Sequence, residues 1–331
     1  MVNISICMIV KNEADVLPRA LANWQALGDE LIIVDTGSSD NTVAIARAHD
    51  ALVLHYEWQA PGHKGEARMV GINAAQGKWV VVLDADEVID QPARLRKHLL
   101  SLKDEYDIVN VKFTNYDHAG QPELTWYQSR VFRRGRYHYI YREHEIPLPV
   151  KRYGGNMTIL DVNFEHRPPS NRAAGKLSPM LKRLELDVEE HPQDHHPLYM
   201  LARQYGHCDQ HRKAIDACER YMQMETANFK PDVCRVAGIC ADELGDRQLM
   251  LEWFYRGLAY EPMRRRLWVE IAQVYYNAHQ YAPALELLRV ASNLPLPVDQ
   301  REVLPCEELA YICQLIEACR MGLASEHHHH H

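Results

Sequence analysis

Short apolar runs alternate with amphipathic segments through the first half of the chain. The runs lie at residues 3–10, 31–34, 51–56 and 79–83. They are rich in aliphatic and β-branched residues, which is typical of strands buried on both faces of a parallel sheet. The segments between them carry apolar residues at helical spacing. This repeated strand–helix order predicts an α/β domain with a mostly parallel, doubly wound sheet.

The pattern changes in the middle of the chain. A helix is predicted from Pro92 to Leu102, and strands are predicted at 107–114, 124–133 and 158–164. From Pro168 onward strand patterns stop, glycine becomes sparse and helical periodicity takes over. We therefore expect a short linker near Pro168 and a second, all-helical domain after it.

Seven positions recur in this helical half at a period of about 34 residues. In the last unit they are Trp268, Ile271, Ala272, Tyr275, Ala284, Leu288 and Ala291. The two earlier units begin the same series at Cys234 and at Leu198. Small residues recur where paired helices must approach closely, and larger ones fill the space between them. The pattern resembles tetratricopeptide repeats, about three of them, closed by a capping helix at 305–323.

Composition and charge narrow the classes of function. The chain has 331 residues and a formal net charge of -8, so a general nucleic-acid binder is disfavoured. It has neither a long apolar run nor a signal-peptide pattern, and we expect a cytoplasmic protein without a membrane span. The eight cysteines form no CxxC pair and are expected to be reduced. Residues 327–331 are all histidine and are interpreted as a tag remnant.

Three carboxylates, Asp84, Asp86 and Glu87, directly follow the fourth apolar run. If the strand continues through them, the side chains of Asp84 and Asp86 point the same way. Two like charges held close repel each other, and a hard divalent cation such as Mg²⁺ relieves that repulsion. Open α/β sheets also bind their ligands at the carboxyl edge. The stretch predicts a metal and nucleotide site, and a strand that simply runs into an acidic turn is the alternative.

Two further polar clusters leave their roles open. Asp35 follows the second strand, where its carboxylate could accept hydrogen bonds from a ribose or base, or could cap the helix that starts at Thr42. Four arginines lie between residues 130 and 136. They could neutralise phosphates, or they could form the solvated face of an edge strand.

These motifs together resemble family 2 glycosyltransferases of the GT-A fold, and most of all the bacterial branch with C-terminal tetratricopeptide repeats. Bacterial peptide S-glycosyltransferases and surface-polysaccharide transferases are similar. The matching segments are 4–13, 33–42, 67–68 and 79–87, with weaker matches at 130–133, 144–145 and 166. The resemblance implies a GT-A domain at residues 1–167 and a helical domain at 168–326.

The resemblance also implies a donor site. Residues that would bind the nucleotide sugar are Val10, Lys11, Asn12, Glu13, Asp35, Arg68, Asp84 and Ala85. Arg68 would face the sugar or the phosphates. The family often has asparagine after this arginine, whereas this chain has Met69.

Metal and catalytic roles follow from the same resemblance. Asp84 and Asp86 would be the Asp-x-Asp pair that binds Mg²⁺ or Mn²⁺, and His166 would be a third metal ligand. We expect Glu145 to be the general base, with Asp117 and Glu143 in reserve. Glu145 could instead form a structural ion pair with Arg142 or Arg152.

The sequence therefore predicts an inverting, metal-dependent glycosyltransferase that uses a nucleotide diphosphate sugar, with a UDP-sugar preferred. Its acceptor would be a peptide or protein, a lipopolysaccharide or other glycan, or, less in keeping with the charge balance, a modified nucleic-acid base. The helical domain would bind the acceptor or a second copy in a homodimer. One competing class is a non-catalytic interaction scaffold with a degenerate transferase domain, which would not hydrolyse a nucleotide sugar. Another is nucleotidyl transfer on a similar sheet, although such enzymes often carry a Gly-rich phosphate loop where this chain has residues 10–13.

Overall fold

The computed structural model describes residues 1–150, 156–169, 177–225, 227–296 and 303–329. It divides into two compact units, Met1–Glu190 and His191–His331. Arg152, one of the two partners considered for Glu145, lies outside the described residues. All eight cysteines are free thiols, as expected from their spacing. Among the described residues, no helix is long and apolar enough to cross a membrane.

Ten strands lie among the described residues of the first unit. They are β1 (Ile4–Val10), β2 (Glu30–Asp35), β3 (Leu52–His55), β4 (Trp79–Val82), β5 (Glu87–Ile89), β6 (Ile108–Tyr116), β7 (Pro122–Arg133), β8 (Tyr137–Ile140), β9 (Ile146–Pro149) and β10 (Met157–His166). Eight of them form one sheet in the order β3-β2-β1-β4-β7-β6-β10-β5, while β8 and β9 pair separately. The predicted α/β fold is confirmed, with a mixed rather than wholly parallel sheet.

The first four strands in the chain run parallel and form one half of this sheet. The helices beside them are α1 (Leu17–Leu21), α2 (Thr42–Ala48), α3 (Lys64–Ala74) and α4 (Pro92–Ser101). One core cluster packs α1 and α4 against alternate residues of β1 and β4, and another packs α3 against the opposite face. Burial on both faces explains the unbroken apolar runs. The carboxyl ends of these strands meet at one edge, where Val10 pairs with Asp35.

The other half of the sheet returns the chain to that edge. β7 runs antiparallel between β4 and β6, so its arginines do not lie on an edge strand, and that interpretation was wrong. β10 runs parallel to β6 and antiparallel to β5. Its register places His166 beside Asn115 on one side and Glu87 on the other.

The structure corrects the local prediction for the acidic stretch. β4 ends at Val82, and the following residues form a turn in which Glu87 N donates to Asp84 O at 3.0 Å. Asp84 and Asp86 are therefore not on extended backbone, and their common direction does not follow from strand geometry. Sequence analysis also missed β5, β8 and β9, which are too short to show a period.

A fifth helix, α5 (Leu177–Glu190), belongs to the first unit, so the division between units falls later than residue 167. Its Arg183 Nε donates to Glu143 Oε2 at 2.6 Å, and Lys64 Nζ donates to Glu143 Oε1 at 2.6 Å. Burial acts to raise the pKa of Glu143, but these two cations outweigh it, and the pKa lies below its ordinary value. Glu143 is therefore an ionised clamp between α3 and α5.

Helix pairs make up the second unit. The helices are α6 (His195–His207), α7 (His211–Met222), α8 (Lys230–Glu243), α9 (Arg247–Tyr260), α10 (Arg265–Asn277), α11 (Tyr281–Asn293) and α12 (Leu309–His329). The repeated small residues lie at helix contacts, as the period predicts. A Cβ atom on Gly238 of α8 would lie 2.3 Å from the Phe254 ring of α9. The predicted capping helix is α12, which packs on α11 through Ile312 and Ile316.

We expect Gly238→Ala to destabilise the second unit by about 1–3 kcal/mol, because the added methyl overlaps a ring that has no space to move into. Gly206→Ala is the matched control, since its Cβ would meet only the Cys240 sulfur at 3.3 Å and the gain in helix propensity is the same. Thermal unfolding of both variants measures the difference. Equal stability of the two would contradict the assigned helix contact.

We expect Glu143→Gln to lower the free energy of unfolding of the first unit by about 3–5 kcal/mol near neutral pH, because the buried Arg183 and the half-buried Lys64 lose their counter-charge. A carboxylate whose pKa is depressed on folding stabilises above its unfolded pKa and loses that effect as pH falls through its folded pKa. The difference between wild type and variant should therefore shrink below about pH 4.5.

Urea unfolding at several pH values across this range, monitored by hydrogen exchange of the sheet amides, measures the difference in free energy of unfolding between wild type and Glu143→Gln. Glu189→Gln, on the exposed side of the same helix, is the control. A penalty that stayed constant with pH would rule out the ionised clamp.

Candidate active site

The loops after β1 and β2 are tied together at the carboxyl edge of the sheet. Asn12 has a left-handed backbone (φ 51°), and its Oδ1 accepts from Ser39 N at 2.8 Å. Its own backbone N–H donates to Ser38 Oγ at 2.9 Å, and Glu13 N donates to Thr42 Oγ1 at 2.9 Å. Lys11 is exposed beside them. The segment expected to bind the base and ribose is thus held in one fixed conformation.

Asp35 shapes the second of these loops from within. It is 4% exposed, and its carboxylate accepts from Gly37 N at 3.2 Å and Ser38 N at 3.2 Å. Asp40, rather than Asp35, bonds to the first residue of α2 through Thr42 N at 3.0 Å. The carboxylate of Asp35 therefore holds the turn, and helix capping belongs to Asp40.

A buried arginine joins the acidic turn to the expected general base. Arg68 of α3 donates from Nη2 to Asp84 Oδ1 at 2.8 Å and from Nε to Glu145 Oε1 at 2.8 Å. The Arg68 side chain is 8% exposed and lies over the Tyr139 ring. Arg142, the other partner considered for Glu145, pairs instead with Glu190 of α5. Glu145 thus belongs to the same cluster as Asp84.

Arg68 also has an unused donor. Its Nη1 is buried without a hydrogen-bond partner among the described residues. A buried polar group normally has a partner, so an orphan donor beside two carboxylates marks a place where a ligand oxygen would be accommodated.

The charges of the arginines keep Asp84 ionised. Burial acts to raise the pKa of Asp84, but Arg68 and then Arg130 outweigh it and hold the pKa well below its usual range. The nearby Tyr139 hydroxyl is affected in the opposite direction, since burial raises its pKa to about 12. At neutral pH the cluster therefore presents an ionised Asp84 and a neutral Tyr139.

Asp86 and His166 form a second pair at the same turn. Asp86 is 5% exposed, and its Oδ2 lies 3.1 Å from His166 Nε2. The other ring nitrogen, Nδ1, lies 2.7 Å from Asn115 Oδ1, and the ring stacks on Phe113. Burial acts to lower the pKa of His166, but the neighbouring carboxylates, Asp86 foremost, raise it overall. Asn115 is a site residue that sequence analysis missed, because it lies one position beyond a predicted strand and matches no motif.

A buried ion pair supports the turn from below. Glu87 is 1% exposed and receives two hydrogen bonds of 2.8 Å from Arg130, while its Oε1 also accepts from Asp84 N at 2.9 Å. Arg130 lies over the Phe113 ring. The residues of this pair were visible in the sequence as part of two motifs, but nothing there indicated that they contact each other.

The arginines after Arg130 donate hydrogen bonds within the protein, although Arg134 is also exposed to solvent. Arg133 donates to the backbone oxygens of Tyr106 and Lys103, Arg134 donates to Gly77 O, and Arg136 pairs with Asp107. These contacts therefore give no support to the interpretation that the four arginines between residues 130 and 136 bind phosphates.

The remaining predicted residues take separate places. Asp117 is half-buried in the turn between β6 and β7, where its carboxylate accepts from Gln121 N at 2.8 Å. Both carboxylate oxygens of Glu143 are paired with cations, one with Lys64 and the other with Arg183. Across the described residues, no group of three or more His, Cys, Asp or Glu side chains surrounds a single metal position. The structure therefore pairs Asp86 with His166 but directs Asp84 to Arg68.

Known proteins of related sequence cover parts of this chain. A TPR repeat-containing protein of Synechococcus elongatus is 46% identical over 30% of this chain and 25% of its own length. An uncharacterized glycosyltransferase of Rickettsia felis is 37% identical over 28% and 31%, respectively. The succinoglycan biosynthesis protein ExoO of Rhizobium meliloti is 28% identical over 47% and 50%. The chain thus spans between a quarter and a half of the length of these relatives.

The family comparison covers the sheet and the site. The model of the family described as Glycosyl transferase family 2 matches residues 5–164, which run from the second residue of β1 into β10 and end two residues before His166. This range holds the acidic turn, Arg68 and Glu145, and it is followed by the helical unit, whose paired helices resemble tetratricopeptide repeats. The chain therefore contains a glycosyl transferase family 2 domain at residues 5–164.

Proposed function

We propose that this protein is an inverting, metal-dependent glycosyltransferase that moves a sugar from a nucleotide diphosphate sugar, a UDP-sugar by preference, to a polymer acceptor. The observation that carries the proposal is the Arg68 bridge, in which one guanidinium holds Asp84 of the acidic turn and Glu145 in a single buried cluster. A family 2 domain supplies the reaction class. A scaffold without catalysis would have no use for an ionised carboxylate, an orphan donor and a base candidate at one sheet edge.

The donor chemistry of the acidic turn fits a hard divalent cation. Asp86 offers carboxylate oxygen and His166 offers imidazole nitrogen within 3.1 Å of each other, a combination that suits Mn²⁺ or Mg²⁺. We assign the cation to these two residues, with Asp84 in the same turn as a further candidate ligand. When bound, such a cation stabilises the negative charge that develops on a leaving diphosphate.

Residues of the chain itself would orient the donor. The turn held by Asn12 and Asp35 lies at the same sheet edge as the acidic turn and would receive the base and ribose. The free Nη1 of Arg68 would donate to an oxygen of the sugar or of a phosphate. Each of these groups is already fixed by hydrogen bonds, so little reorganisation is needed on binding.

Glu145 would act on the acceptor. Its Oε1 is occupied by Arg68 Nε, and its Oε2 would take the proton of the acceptor hydroxyl or thiol as that atom attacks the anomeric carbon. The new bond forms as the bond from carbon to the diphosphate oxygen breaks, so the configuration inverts in one displacement.

The repeat unit would supply recognition. Helical repeats expose an extended surface suited to a peptide, a glycan or a second copy of the chain. We propose a peptide, protein or glycan acceptor, because the arginines that could have recognised nucleic acid are bonded within the first unit.

Asp86→Asn should reduce metal-dependent release of UDP from a UDP-sugar by about 100-fold or more, because the amide is a weaker cation ligand. A panel of UDP-sugars with Mn²⁺ or Mg²⁺ provides the assay. Asp50→Asn is the matched control, since Asp50 is exposed at the opposite, amino end of β3 and its left-handed backbone (φ 61°) suits asparagine. Equal rates for wild type and Asp86→Asn would remove the metal assignment.

Glu145→Gln should lower kcat about 100- to 10,000-fold while leaving UDP affinity within a factor of about two. The glutamine oxygen can still accept from Arg68 Nε, so the cluster keeps its shape and only the base is lost. Stopped-flow turnover and calorimetric UDP titration separate the two quantities. A variant that lost UDP affinity but kept its kcat would assign Glu145 to donor binding instead.

A further inference from the structure

The segment that carries Glu145 has an unusual backbone. Tyr141 and His144, two non-glycine residues between β8 and β9, have left-handed φ angles of 76° and 47°. Such angles are uncommon for side chains larger than glycine, and they persist only where surrounding contacts impose them. Something outside the segment must therefore hold it.

One side of the segment is held by the start of α3. Lys64 N donates to Arg142 O at 3.1 Å, and Gly65 N donates to Tyr141 O at 3.1 Å. Gly65 is also the residue with no space for a side chain here, since a Cβ would lie 2.7 Å from Tyr141 O. These contacts satisfy the carbonyl groups of Tyr141 and Arg142.

The other side is held by a single carboxylate from α5. Asp187 Oδ1 accepts from Arg142 N at 2.7 Å, and Asp187 Oδ2 accepts from Glu143 N at 3.1 Å. Asp187 is 1% exposed, and hydrogen bonds to an ionised acceptor are among the stronger ones in proteins. The two successive amides are thus fixed by one rigid group just before the residue pair His144–Glu145.

We infer that Asp187 is a positioning residue for Glu145, acting through the backbone of Arg142 and Glu143. The inference rests on the proposed role of Glu145 as the general base. It extends the catalytic machinery beyond the family match, which ends at residue 164, into the helix at Leu177–Glu190. Asp187 fixes the segment and Arg68 fixes the carboxylate, so the base is held at both ends.

The test uses Asp187→Asn in the full chain. Asparagine keeps one acceptor oxygen for one of the two backbone amides of Arg142 and Glu143. Its NH₂ group faces the other backbone N–H, and two donors cannot form a hydrogen bond with each other. Glu190→Gln is the matched control, because it lies on the same helix and contacts the same segment only through the Arg142 side chain. Arginine-selective ¹⁵N labelling follows the Arg68 Nε–H resonance, which reports the bond to Glu145 without any substrate.

We expect Asp187→Asn to shift or broaden the Arg68 Nε–H resonance and to lower kcat for UDP-sugar hydrolysis about 10- to 100-fold, as displacement of a reacting group by about an ångström does. UDP affinity should stay unchanged, and Glu190→Gln should resemble wild type in both readouts. An unchanged resonance together with an unchanged kcat in Asp187→Asn would overturn the inference.

A double-mutant cycle separates this inference from the proposed function. If Asp187 acts through Glu145, Asp187→Asn should cause no further loss of kcat in the Glu145→Gln background. If Glu145→Gln alone has no effect on kcat, the assignment of the base fails, while the Arg68 resonance still reports whether Asp187 positions the segment.

Asp187→Glu, which keeps both acceptor oxygens, should give an intermediate effect. If neither Asp187→Asn nor Asp187→Glu folds, the role of Asp187 is structural only, and the inference is overturned.

Discussion

A guanidinium buried between two carboxylates is the interaction on which the site depends. A charge as buried as that of Arg68 is stable only when it is paired, so the fold must bring Asp84 and Glu145 to it. Arginine presents its donors in a rigid planar fork, and the positions of the two carboxylates are therefore fixed relative to each other. The acidic turn and the segment after β8 are distant in sequence, yet neither can move without disturbing the other through this side chain.

The mixed sheet explains how the other residues reach the same place. The parallel half ends β1, β2 and β4 at one edge, which is the general binding edge of α/β sheets. The second half crosses back through β7 and returns along β10, so His166 arrives beside the acidic turn from the far side. Residues from both halves then share one set of charges, with Glu87 and Arg130 buried beneath them.

Hydrophobic pattern was enough to predict the parts of the structure that bury whole faces. The runs around Ile6, Ile33 and Val81 are strands, and the helical period beyond Pro168 is a set of paired helices, because both signals come from many residues at once. The pattern did not predict β5, β8 and β9, since these strands of three or four residues have no detectable period and, unlike β3 and β4, are not part of an unbroken apolar run. It also extended β4 into the acidic turn, where a hydrogen bond from Glu87 N to Asp84 O reverses the chain.

The candidate site, like the fold, was predicted only in part from the sequence. The acidic run predicted Asp84 and Asp86, and the family resemblance added Arg68, Glu145 and His166, but neither could show which side chains contact each other. That depends on β-strand register and on long-range pairs such as Asp86 with His166. Asp187 carries no motif, and its role depends entirely on two backbone amides that only the folded chain brings to it.

Because α5 belongs to the first unit, it matters where a recombinant fragment of this chain ends. A recombinant fragment cut at the end of the matched family range would end within β10, two residues before His166, and would lose the carboxylate and the guanidinium that α5 contributes. It would also lack Leu184 and Val188, whose side chains are buried in the intact unit, and would leave Glu143 with one cation instead of two. A fragment meant to keep the first compact unit whole should therefore end after Glu190 rather than at the end of the family match.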